Sequence, residues 1–233
     1  GKIATPIALL LFIALILWGT FDIRKSGANR KKSAITLAGS TSVMPFSEKL
    51  AEFFMVEHPG LSVDVQGGGS SAGIQASISG TVDIGMSSRR LKADEKVLKE
   101  ILICYDGISI IVHPKNPLRD ISLDQIKKIY SGHIRNWKGL GWIDRNIDAV
   151  SREEGSGTRG AFEELVMGKA FIDDAIMVQD SNGSVKEVVA TDPYAIGYVS
   201  LGIVDRNVKA LMIDGITPTV QNIKQNKYRM VRP

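Results

Sequence analysis

The feature that most restricts the fold is a unit that occurs three times: a short apolar strand, a turn of glycines and hydroxyls, then an apolar pattern at helical spacing. In the fullest copy Ile147-Asp148-Ala149-Val150 leads into Ser151-Arg-Glu-Glu-Gly-Ser-Gly-Thr-Arg-Gly-Ala-Phe162, and Phe162, Leu165 and Val166 follow at offsets of three and four. A second copy runs from Ile35-Thr36-Leu37-Ala38 through Gly39-Ser40-Thr41-Ser42 to Phe46, Leu50, Phe53 and Phe54, with Pro45 suited to a first helical turn. A third runs from Leu61-Ser62-Val63-Asp64-Val65 through Gly67-Gly-Gly-Ser-Ser-Ala-Gly73 to Ile74 and Ile78. Strands alternating with helices predict an α/β fold.

Each such turn leaves the first N–H groups of its helix without partners, all pointing one way, where the helix dipole adds about half a positive charge. A small oxyanion fits there, and the Ser156 and Thr158 hydroxyls can also donate. Arg152 adds a planar fork of donors that can grip two oxygens. One such turn is as readily a plain connection, and its hydroxyls as readily N-caps. Three in one chain argue for a shared anion. Gly67, Gly69 and Ala72 formally match a dinucleotide fingerprint, but a unit precedes them, and the next strand, Val82 to Met86, runs into Ser87-Ser88-Arg89-Arg90 where an acid is wanted. No Gly-Lys-Ser/Thr occurs, which excludes a nucleotide P-loop.

Charge is segregated. The whole 233-residue chain is +4, but Lys2, Arg24, Lys25, Arg30, Lys31 and Lys32 against Asp22 put more than that into the first 32 residues, so residues 33–233 carry a net −1. The body is not basic, and nucleic acid is not an expected partner. Ile3 to Phe21 holds no charge, is long enough to span a bilayer and reads as a signal or anchor helix, with a basic linker behind it. The cations after it favour retention of that side in the cytoplasm, against export of the body.

Further along, Asp94 to Ile103 is expected as a helix, and Cys104, the lone cysteine, as a buried small hydrophobe. Ile108 to Val112 is a fully apolar strand, and His113-Pro-Lys-Asn-Pro117 after it marks the first crossing into a second domain. Leu123 to Tyr130 reads as a helix, Ile176 to Val178 and Ile196 to Val199 as strands, and Ser181-Asn182-Gly183-Ser184 opens a helix through Val185 to Ala190. Catalysis finds little support. Gly155-Ser156-Gly157 is no nucleophile elbow, no histidine follows His133, and His58, His113 and His133 lack metal-ligand spacing. No cofactor and no metal are expected.

Thr41-Ser42, Gly69-Ser-Ser-Ala-Gly73, Asp83-Ile-Gly-Met-Ser-Ser88 and Arg152-Glu-Glu-Gly-Ser-Gly-Thr158 closely resemble the phosphate-binding proteins of phosphate ABC transporters. Ile196 to Ser200 and Tyr228 to Pro233 look like that family too. The resemblance implies a two-domain periplasmic-binding-protein-like fold of type II with a hinge. Residues 1–32 would be the anchor and linker, 33–110 with 206–233 domain I, and 111–205 domain II. It implies extracytoplasmic phosphate capture in the interdomain cleft by a monomer, delivered to a membrane permease, with a receptor for a sulfate-like oxyanion or a dinucleotide-binding enzyme domain as alternatives. Carried over by motif, Thr41, Ser42, Ser70, Arg152, Ser156, Gly157 and Thr158 would donate to phosphate. Ser88 stands where some members have an aspartate for the phosphate proton; it can accept through its lone pairs but without charge, and Glu154 is the other candidate acceptor, on which discrimination is expected to rest more. The family chain continues past a segment like Tyr228 to Pro233, so a C-terminal truncation that bares part of domain I is expected.

Overall fold

The computed structural model describes residues 33–233; the anchor and linker expected at residues 1–32 lie outside the described residues. Among the described residues no helix is long and apolar enough to cross a membrane.

The chain opens with β1 (Ser33–Gly39), α1 (Met44–Glu57), β2 (Leu61–Gly67), α2 (Ser70–Ile78) and β3 (Ile84–Met86). These strands form a sheet in the order β2-β1-β3, and β1 runs parallel to β3 with Leu37 opposite Ile84 and Gly39 opposite Met86. Both expected strand–turn–helix units are here, and the crossover through a helix makes the parallel pairing.

A second, larger sheet follows. It is built from β4 (Asp106–Val112), β6 (Asp148–Arg152), β7 (Met177–Gln179), β8 (Ala195–Ser200), β9 (Lys209–Ala210) and β11 (Val231–Arg232), in the order β11-β4-β8-β6-β7 with β9 also on β4. Between these strands lie α3 (Leu123–Tyr130), α4 (Gly157–Phe162), which runs on as a π-type turn over Glu163–Met167, α5 (Asn182–Thr191) and α6 (Val220–Lys224). A small parallel pair joins β5 (Asp120–Ile121) to β10 (Met212–Ile213). Strands β4 and β8 are antiparallel with Ile110 opposite Tyr198, whereas β6 lies parallel to both β8 and β7.

The core follows from this arrangement. Strands covered on both faces are apolar throughout, and nearly all of β4 and all of β8 are buried. On one face Ile110 and Val112 pack with Ile126 of α3 and with an aromatic group, where Phe162 stacks on Tyr198 at 4.1 Å and meets Tyr130 edge-on at 4.8 Å. On the other face Ile111 and Val150 meet Val185 and Val189 of α5. Each fully buried side chain of this size contributes about 1.5–3 kcal/mol, so stability is concentrated in this sheet.

The smaller sheet differs. Helix α1 forms where the spacing of Phe46, Leu50, Phe53 and Phe54 predicts it, yet it buries only Ser47 and Ala51. Leu50 is 62% exposed and Phe53 67%. The boundaries expected at residues 110 and 206 do not coincide with sheet boundaries. Strand β4 crosses residue 110, and β9 and β11 pair with β4.

Two expectations fail in the segment between the sheets. Asp94 to Ile103 holds a single 3-10 turn, Ala93–Glu95, and then irregular chain. The Glu95 carboxylate is drawn inward to Arg89 and to the Lys92 N–H. The apolar side chains beyond it, Val97, Ile101, Leu102 and Ile103, are more than half exposed, and a short helix without a well-packed face does not persist. Cys104 is exposed for the same reason.

Candidate anion-binding site

The first three turns of interest meet where the two sheets abut. At the end of β1 the chain turns at Ser40, whose N–H donates to Met86 O at 2.9 Å, and enters α1 through Thr41 and Ser42. At the end of β2, Gly69 caps α2 with φ +87°, a conformation that suits glycine. Its N–H donates to Gly39 O at 3.0 Å and ties this turn to the first. At the end of β6, Ser156 caps α4, its hydroxyl accepting from Arg159 N at 3.2 Å. The Gly155 carbonyl of that turn accepts from Ser71 N at 3.0 Å. Three helix starts are thereby fastened together by backbone bonds.

The hydroxyls form one network. Ser40 donates to Ser88 Oγ at 2.8 Å, and Ser88 N donates to Ser70 Oγ at 3.1 Å. Ser42 Oγ lies 3.0 Å from Thr158 Oγ1. Gly157 packs directly against Ser70 and Ser88, where any side chain would overlap their hydroxyls. Ser42, Ser70, Ser88, Ser156 and Thr158 are all buried.

Two guanidinium groups face this network. Arg152, at the end of β6, is 1% exposed. Its Nε and Nη2 form a two-pronged bond with the Glu153 carboxylate, both at 2.9 Å. Nη2 also reaches Asp180 O at 3.2 Å and Thr41 Oγ1 at 3.4 Å. Its remaining nitrogen, Nη1, is buried and has no hydrogen-bond partner. The Tyr198 hydroxyl holds the strand end below it, accepting from Arg152 N at 3.2 Å and sharing a 2.8 Å bond with Ser151 Oγ. Burial pushes the Tyr198 phenol up to about 12, which keeps it protonated. Arg232 of β11 is the second cation. It donates to Ser88 O, Ser42 Oγ and Asp106 Oδ2, each at 2.9 Å, and its Nε is also buried without a partner. Burial lowers its pKa, and Asp106 opposes that shift.

The structure therefore brings Thr41, Ser42, Ser70, Ser88, Arg152, Ser156, Gly157 and Thr158 together. Glu154 is the exception. Ser156 N donates back to Glu153 O at 3.0 Å, a tight turn that leaves Glu154 at its tip and exposed. Glu153 is the carboxylate that curls under and meets Arg152. Reading the sequence also missed Ser40, Arg232 and Asn182. All three stand inside stretches that had drawn notice, Ser40 in the first turn, Asn182 at a helix start and Arg232 between Tyr228 and Pro233. Asn182 donates through Nδ2 to Ser42 Oγ at 2.8 Å and to Thr41 Oγ1 at 3.1 Å. Behind the α2 start, Arg89 holds Ser71 Oγ at 3.2 Å and pairs with buried Glu95, whose carboxyl the guanidinium lowers to about 2. Among the described residues no cluster of three or more His, Cys, Asp or Glu side chains is placed to hold a metal ion.

Residues 25–233 match the PBP superfamily domain. The phosphate-binding protein PstS of Bacillus subtilis is 35% identical over 207 residues, which cover 87% of this chain and 69% of the relative. The PstS of Borreliella burgdorferi is 29% identical, covering 85% and 76%. Among solved structures, a phosphate ABC transporter substrate-binding protein from Clostridium perfringens with bound phosphate superposes with a TM-score of 0.84 at 45% identity, covering 86% of this chain and 84% of that one. An ABC-type phosphate transport receptor from Vibrio cholerae gives 0.69 at 38% identity, covering 85% and 84%. The chain belongs to the PBP superfamily and, within it, to the PstS family of phosphate-binding proteins.

Proposed function

We propose that this PstS-family chain captures inorganic phosphate at the meeting of the two sheets and presents it to an ABC permease on the outer side of the membrane. One observation carries the reading: Arg152 is 1% exposed, its Nη1 is buried without a partner, and its Nη2 lies 3.4 Å from Thr41 Oγ1 in the collar of hydroxyls. A buried cationic donor without an acceptor is costly. An anion seated among Thr41, Ser42, Ser70, Ser88, Ser156, Gly157, Thr158 and Arg152 would satisfy it, along with the amides at three helix starts. The relatives' printed functions point the same way.

Everything in this arrangement serves binding. The hydroxyls are held among themselves, and no histidine stands among them to activate one. The two sheets act as the lobes of a hinged receptor that closes over its ligand. The division of 33–110 with 206–233 against 111–205 then moves to the segment before β4, because β4, β9 and β11 share a sheet. The protein works as a monomer, and the apolar run Ile3 to Phe21 brings it to the membrane.

A second reading, a sulfate-like oxyanion, is favoured by one feature. Ser88 is a hydroxyl, and the carboxylates within the cluster, Glu153 and Asp106, are both paired to guanidinium groups. Phosphate at neutral pH carries a proton that sulfate lacks, and an uncommitted acceptor is what separates the two. Titration calorimetry of the full chain with phosphate, sulfate, arsenate and NAD decides. Phosphate binding displaced weakly by sulfate supports the first reading. Sulfate binding tighter than phosphate supports the second. Heat with NAD alone refutes both.

A further inference from the structure

We propose that Asn182 is a positioning residue of the anion site, which fixes the direction of the hydroxyl protons of Thr41 and Ser42, keeps that of Thr158 off Ser42, and so makes that wall a donor surface before any ligand arrives. The inference rests on the phosphate reading above. Asn182 is 1% exposed and is the first residue of α5. Its Oδ1 accepts from Ser200 N at 3.2 Å. That bond settles the amide orientation, because a flipped amide would set nitrogen against an N–H. Nδ2 therefore faces Ser42 and Thr41 as a donor.

The proton directions follow by counting. A hydroxyl has two lone pairs and one proton, while an amide nitrogen and a guanidinium nitrogen only donate. Ser42 Oγ accepts from Asn182 Nδ2 at 2.8 Å and from Arg232 Nη2 at 2.9 Å. Both its lone pairs are taken, so its proton goes to the remaining neighbour, Thr158 Oγ1, at 3.0 Å. Thr158 is then an acceptor toward Ser42, and its own proton is released to point elsewhere. Thr41 Oγ1 accepts from the same Asn182 Nδ2 at 3.1 Å and from Arg152 Nη2 at 3.4 Å. Its proton is released too. Two hydroxyls are thus freed to donate by one amide: the Thr41 proton is left a single direction, and the Thr158 proton is kept off Ser42, so less reorientation is left for binding. The ligand class such a wall takes is an ion whose oxygens only accept. A neutral polyol, which must also donate, gains less from it.

The test is calorimetry with inorganic phosphate on the full chain and its variants. Asn182→Leu removes the donor and lowers affinity roughly tenfold. In a Thr41→Val/Ser42→Ala background there are no rotors left for Asn182 to set, and Asn182→Leu costs less than about twofold. Equal losses in the two backgrounds, or no loss in the parent, overturn the proposal. Asn182→Asp keeps the size and the acceptor for Ser200 N–H, so it folds even where Asn182→Leu does not. It replaces the donor by an acceptor and lowers affinity by roughly a hundredfold; affinity within about twofold of the parent overturns the proposal as well. A parent chain that gives no heat with phosphate overturns the functional reading and this inference together. A parent that binds while the two backgrounds lose equally overturns this inference alone.

Discussion

Gly157→Ala is the sharpest single perturbation of the site. The new methyl would overlap the Ser70 hydroxyl and would stand 2.7 Å from Ser88 Oγ and 3.0 Å from Ser70 Cβ. Ser70 is fully buried, so its hydroxyl cannot swing into solvent. It yields only by parting from Ser88, and the third turn is then wedged away from the second. Overpacking of this kind costs roughly 1–3 kcal/mol, equivalent to about 5- to 150-fold in a binding constant. The contact exists without ligand, so thermal stability falls as well, by about 2–4 °C per kcal/mol for a chain of this size. Gly183→Ala is the control. Gly183 is exposed within α5, and the nearest atom to its added methyl is 3.8 Å away. That substitution raises stability by about 0.5–1 kcal/mol and leaves phosphate binding unchanged. Calorimetric titration and a thermal melt on both variants suffice. A Gly157→Ala chain that binds phosphate as the parent does would show that the second and third turns do not meet as described.

Further outcomes follow from the same geometry. Arg152→Gln removes the charge and the unpartnered donor together, and phosphate binding falls by roughly a hundredfold; the melt changes little, because Glu153 is 30% exposed and can hydrate. Tyr198→Phe strips the acceptor from the buried Arg152 N–H and the partner from Ser151; it lowers the unfolding free energy by about 1–3 kcal/mol, seen as a lower urea midpoint with an unchanged slope, and an unchanged midpoint would count against it. Glu95 has its carboxyl lowered from 4.5 to about 2. Its contribution is complete above pH 4.5 and is lost as pH falls toward 2, so the loss of stability between those values is smaller in Glu95→Gln than in the parent. Phe53→Ser, on the bare face of α1, leaves the melting temperature within the range of ordinary surface changes; a fall of several degrees in a thermal melt would show that this face is packed.

What could be read from the sequence was local. Strand, turn and helix at residues 35–54, 61–78 and 147–166 are written in spacing and in glycine and hydroxyl placement, and all three units formed. Recurrence of the three turns with Arg152 argued for a shared anion, and the resemblance to a family said which residues would meet on it, which no spacing rule supplies. The choice between Glu153 and Glu154 depended on which way a four-residue turn faces, and adjacent glutamates look alike in sequence. Asn182 and Arg232 reach Ser42 across 140 and 190 residues, so only topology brings them there. The helix expected at Asp94 to Ile103 failed because its apolar side found little surface to cover.

The 190-residue reach from Ser42 to Arg232 has a consequence for synthesis. While the chain grows on a ribosome, Thr41 and Ser42 emerge early, but the guanidinium that holds Ser42 emerges only with residue 232. Until then β11 cannot add to β4, Asp106 has no cation, and the pocket wall is incomplete. Closing so long a loop is also among the slower steps of folding. A nascent polypeptide is thereby kept from trapping cellular anions until residue 232 has emerged.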